Sequence, residues 1–105
     1  MIDRIKCKIL EVKDFPKPGV GFKDITPVVR DAECYKYTID QIAAWAKKKK
    51  PQVIAGIESR GFLFAAPVAH KLGLGLAIIR KKGKLPRRTV TVRAHNEYAV
   101  ENLEM

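Results

Sequence analysis

No uncharged apolar run in the 105-residue chain approaches the roughly 18 residues that a membrane-spanning helix needs. The best candidate, Gly61 to Ala69, is cut off by His70 and Lys71. The start holds no secretory apolar core either, because Asp3, Arg4, Lys6 and Lys8 crowd it with charge. Cysteine is scarce: Cys7 and Cys34 lie too far apart for a CxxC redox or zinc element, and they read as reduced thiols of a cytoplasmic protein. Internal repeats, low-complexity tracts and Gly/Ser linkers are also lacking, so residues 1–105 read as a single domain or a portion of one. What is plentiful is positive charge. Twenty-one Lys and Arg against 11 Asp and Glu give +10 at pH 7, which calls for a polyanionic partner: nucleic acid, an acidic membrane face or a phosphorylated small molecule. With 47% hydrophobic and 30% charged residues the composition is that of a globular protein.

Ile2, Ile5, Ile9 and Val12 recur at helical spacing and predict a short amphipathic N-terminal helix. Residues 14–27 hold Pro16, Pro18, Gly19, Gly21 and Pro27 and read as an extended loop. Asp31 is the expected N-cap of a helix running to about Lys49, with Tyr35, Ile39, Ile42 and Trp45/Ala46 as its buried stripe and Pro51 beyond its end. The Lys47–Lys50 run then faces the helix dipole as a solvated last turn. Val53–Ile57 reads as a strand covered on both faces, and Phe62 to about Leu72 as a helix closed by Gly73. Leu76–Ile79 is the next strand, followed by a basic stretch, Arg80–Lys84, and by strand-like alternation over Thr89–Arg93. Strand, helix and strand in that order predict a βαβ unit and a parallel sheet flanked by helices, an α/β fold.

Parallel sheets bind ligands beyond the carboxyl ends of their strands, and two basic segments fall there. After the first strand come Ser59, Arg60 and Gly61, where a glycine permits close backbone approach, a helix start offers N–H groups and a guanidinium adds charge. After the second come Arg80, Lys81, Lys82, Gly83 and Lys84, suited to a further phosphate.

Three stretches carry a resemblance. Asp14-Phe15-Pro16-Lys17-Pro18-Gly19-Val20-Gly21-Phe22-Lys23-Asp24-Ile25-Thr26-Pro27, then Ile54-Ala55-Gly56-Ile57-Glu58-Ser59-Arg60-Gly61-Phe62-Leu63-Phe64, then Arg80-Lys81-Lys82-Gly83-Lys84-Leu85-Pro86, resemble in order and spacing the motifs of adenine phosphoribosyltransferases. The resemblance implies a type I phosphoribosyltransferase-like fold, of which this chain matches the N-terminal portion with its basic loop and lid hairpin. It implies purine salvage, in which adenine and 5-phosphoribosyl 1-pyrophosphate give AMP and pyrophosphate. It also implies magnesium accompanying the substrate and a cytoplasmic homodimer. Phe22 would stack on adenine while the backbone at Gly21 and Lys23 reads its edge. Arg60 and the Glu58-Ser59-Arg60-Gly61 loop, with a cis peptide at Glu58–Ser59, would hold the pyrophosphate together with Lys81 and Lys84. His95-Asn96-Glu97-Tyr98-Ala99 aligns with a mobile lid, Glu97 carrying the adenine proton and Tyr98 closing the site.

The sequence departs from the family at Ala99 and Ala65, where glycine is customary. It also holds no two neighbouring acidic residues and no Gly-Gly, the marks of the loop that cradles ribose 5′-phosphate. Little turnover is therefore expected from these 105 residues unless another segment completes them. Plainer assignments stand beside these: Phe22 as a core plug, Arg60 as a helix cap or ion-pair partner of Glu58, His70 as a structural residue, and neither His70 nor His95 as a metal ligand. Two other functions compete. One is a non-catalytic module sensing purine or phosphoribosyl pyrophosphate. The other is a small nucleic-acid-binding domain using Arg87, Arg88 and Arg93, disfavoured because no aromatic residues interleave with the basic ones.

Overall fold

A computed structural model of the chain describes residues 1–95 and 100–105, which divide into two units, residues 1–40 and residues 41–105.

In the first unit, helix α1 (Ile2–Lys8) ends where Ile9 turns extended, at φ −75° and ψ 119°. The helical spacing of the isoleucines therefore stops short of Val12. That residue belongs instead to strand β1 (Leu10–Val12), which pairs antiparallel with β2 (Phe22–Asp24). The register sets Glu11 opposite Lys23, and their side chains form an ion pair at 2.7 Å. Between the strands the Pro/Gly segment is closed rather than extended. Phe15 N–H donates to Val20 O at 3.1 Å, and Gly19 N–H donates to the Asp14 carboxylate at 2.9 Å. The Phe15–Pro16 peptide is cis. A short helix, α2 (Thr26–Arg30), follows with Pro27 in its first turn, and it buries Val28.

Helix α3 (Ala32–Lys48) begins as its cap predicts: the Asp31 carboxylate accepts the Cys34 N–H at 3.0 Å. Its buried positions are Cys34, Ile39, Ala43 and Ala46. Trp45 is not among them. It lies about 200° around the helix from Ala43, stays 63% exposed, and has the Lys49 ammonium 5.5 Å from its ring centroid.

In the second unit, β3 (Val53–Ile57) and β4 (Gly75–Lys81) pair in parallel, joined by α4 (Phe62–Leu72). Gly73 closes α4 in the left-handed region at φ 70°, as expected of a C′ glycine. Gly56 lets α4 approach the sheet: a methyl added there would stand 2.7 Å from Ala65 Cβ. The four-stranded sheet runs β3-β4-β6-β5 and is mixed. Strands β5 (Thr91–His95) and β6 (Val100–Glu104) pair antiparallel, and β6 joins β4 at Arg80 and Lys81, with Lys82 N–H donating to Asn102 O at 2.9 Å just beyond. The parallel pair is as the sequence predicts, whereas β6 was not visible in it. Nor is β3 covered on both faces among the described residues, since Val53 and Ile57 remain 49% exposed. His70, read as structural among apolar neighbours, is exposed. No helix of the described residues is long and apolar enough to cross a membrane.

Candidate functional site

Parallel register puts the two basic segments side by side. Ile57 stands opposite Ile79, so the chain leaves β3 at Glu58 beside Arg80, in the last two residues of β4, and Glu58 N–H donates to Ile79 O at 2.8 Å. The Glu58–Ser59 peptide is cis, the geometry the resemblance implies. The turn then folds back tightly, with Gly61 N–H donating to Ile57 O at 3.0 Å. A Cβ at Gly61 would come within 2.5 Å of that oxygen and 2.8 Å of Ile57 N, so only glycine fits. The N–H groups of Glu58 and Gly61 thus serve the fold.

The Glu58 side chain turns toward β4. Its Oε1 accepts Arg80 Nε at 3.1 Å and pairs with Arg80 Nη2 at 3.0 Å, while Oε2 accepts the backbone N–H of Lys81 at 3.1 Å. The Lys81 N–H, more than the Arg80 guanidinium, holds the carboxyl below the usual carboxylate range despite partial desolvation. Arg80 also donates from Nη1 to Lys84 O at 3.4 Å, across a turn in which Lys84 N–H reaches Lys81 O at 3.2 Å. Lys81 and Lys84 both lie exposed on this turn.

The predicted base shelf lies in the first unit. Phe22 is half-buried on β2, and Phe15 meets it edge to face, centroids 5.0 Å apart and planes 69° to each other. Gly21 precedes it, exposed, and the Lys23 ammonium is held by Glu11. The structure therefore gathers Glu58, Ser59, Arg60, Gly61, Lys81 and Lys84 at one end of the parallel pair, and Gly21, Phe22 and Lys23 on the hairpin of the other unit. Glu97 and Tyr98 lie outside the described residues. Among those described, no group of three His, Cys, Asp or Glu side chains could hold a metal ion.

Sequence reasoning passed over Arg80 as an ion-pair partner and Phe15 as the neighbour of Phe22. The first follows from the βαβ register, which pairs Ile57 with Ile79 and so brings Glu58 beside Arg80. The second depends on closure of the Pro/Gly turn, for which no periodicity exists.

Residues 31–102 match the Phosphoribosyl transferase domain. Over 104 residues the chain is 45% identical to an adenine phosphoribosyltransferase of Thermoanaerobacter, covering 99% of this chain and 60% of that protein. It superimposes on the crystal structure of adenine phosphoribosyltransferase from Thermoanaerobacter pseudethanolicus with a TM-score of 0.90 at 45% identity, covering 100% of this chain and 61% of that one. The enzyme from Giardia lamblia, solved with 9-deazaadenine, gives a TM-score of 0.92 at 30% identity, with coverage of 98% and 57%. The chain thus spans about 60% of the length of the curated relatives it matches. With a family model matched over residues 31–102, the chain belongs to the phosphoribosyl transferase domain family.

Proposed function

We propose that this chain supplies the base shelf and the diphosphate pocket of an adenine phosphoribosyltransferase. In the reaction, adenine N9 bonds to C1 of 5-phosphoribosyl 1-pyrophosphate, the bond from C1 to the pyrophosphate oxygen breaks, and the N9 proton leaves. Phe22 stacks on the purine, with the backbone of Gly21 and Lys23 at its edge. Ser59, Arg60, Lys81 and Lys84 bind the diphosphate and neutralise the charge that grows on it as it departs. Glu97 accepts the proton and Tyr98 helps close the site. The reading rests chiefly on one observation, the hydrogen-bonded junction of the two basic strand ends through Glu58.

Magnesium, in this reading, arrives on the diphosphate. Glu58, the lone carboxylate of residues 58–61 and 80–84, already accepts Arg80 and the Lys81 N–H and is poorly placed to ligate a metal. A homodimer belongs to the same proposal, supported by β3, whose outer edge has no strand partner among the described residues. So does a cytoplasmic location.

Calorimetric titration with magnesium pyrophosphate tests the pocket. The chain should bind saturably and tolerate salt, and Arg60→Gln should weaken binding about tenfold, the loss of one charge-assisted hydrogen bond. AMP formation by the 105-residue polypeptide alone should be slow. Absence of pyrophosphate binding, together with steeply salt-dependent binding of oligonucleotides, would replace this reading with the nucleic-acid module.

A further inference from the structure

Within the two strand-end segments Glu58 is the single acid among Arg60, Arg80, Lys81, Lys82 and Lys84. By charge alone it should weaken any anion site there. Its geometry gives it another part. One oxygen holds Arg80 through both Nε and Nη2, and the other fixes the main chain of Lys81. Arg80 in turn reaches Lys84 O, so the carboxylate, the guanidinium and that carbonyl join the β3 exit to both ends of the Lys81–Lys84 turn.

We propose that Glu58 is a positioning residue for the diphosphate: it sets the direction in which Lys81 and Lys84 leave the backbone, and it keeps Arg80 as a strut of the turn. The inference rests on the pyrophosphate pocket described above. A turn held at both ends keeps the main chain of Lys81 and Lys84 in place, so both side chains reach one diphosphate at a smaller ordering cost, which favours a diphosphate over a single phosphate. A carboxylate that merely repelled the ligand would have the opposite effect on removal, because Arg80 would then be released toward the anion.

The sign of the effect decides the matter. Titrations of the purified chain with magnesium pyrophosphate and with inorganic phosphate should show Glu58→Gln binding pyrophosphate about tenfold more weakly. Phosphate affinity should change little, so the preference for the diphosphate collapses. A general loss of structure would weaken both. Arg80→Lys keeps the positive charge but cannot span from Glu58 to Lys84 O, and it should show the same loss of preference. Unchanged or tighter pyrophosphate binding in Glu58→Gln, or wild-type preference in Arg80→Lys, overturns the positioning role while leaving the pocket intact. If Glu58→Gln fails to fold by circular dichroism, Arg80→Lys decides alone. If the unsubstituted chain binds no pyrophosphate, the pocket itself falls, and the positioning role with it.

Discussion

Gly61 is where a single hydrogen atom matters. Its backbone is ordinary right-handed helix at φ −60°, so what requires glycine is space and not conformation. The β3–α4 turn presses Ile57 O and N to within 2.5 and 2.8 Å of where a Cβ would sit. Both are main-chain atoms of the strand and cannot swing aside. Gly61→Ala should therefore destabilise the chain by about 1–3 kcal/mol, the range for overpacking, as read by urea unfolding, and should weaken pyrophosphate binding as the loop shifts. The same substitution at Gly75, with open space around its Cβ position, is the control and should leave binding as it is.

At the scale of elements, α3 depends on a charged cap. The Asp31 carboxylate accepts the Cys34 N–H and also holds two cations of α1, Arg4 at 2.6 Å and Lys8 at 3.2 Å. These contacts, the Cys34 bond foremost, depress its pKa well below the ordinary Asp value of about 3.9. A carboxyl depressed in the folded state contributes its full stability above that unfolded value and loses it as the pH falls further. Asp31→Asn keeps an oxygen for the cap but no charge. Its melting temperature should lie below that of the parent at neutral pH, and the gap should narrow as the pH drops below about 4. A gap independent of pH would contradict the charged cap. Elements of this kind were legible because cap, period and stop signal agree: Asp31 for α3, the apolar run for β3, Gly73 for α4. The three-residue strands β1 and β2 were not, since they are too short to show alternation and are held by a closed Pro/Gly turn. Strand β6, with Glu101, Asn102 and Glu104, lacks an apolar pattern and exists through its pairing with β5. Trp45 was misplaced because a large apolar side chain outweighed the face defined by Cys34, Ile39, Ala43 and Ala46. The strand-end residues were readable from position after a strand, while their coupling through Glu58 needed the register.

For the whole molecule, a net charge of +10 favours solubility and encounter with anions, and in the proposed function recognition falls to a few groups at two places. One is the hairpin bearing Phe15 and Phe22, the other the junction of Glu58, Arg60, Arg80 and the Lys81–Lys84 turn. The central claim, resting on the proposed function, is that the strand-end junction holds a diphosphate. Paramagnetic broadening tests it most directly. With manganese(II) pyrophosphate bound to the chain, the backbone resonances of residues 58–61 and 81–84 should broaden together and recover together on adding excess magnesium pyrophosphate. Broadening scattered over the other lysines of the chain, with residues 58–61 unaffected, would contradict it.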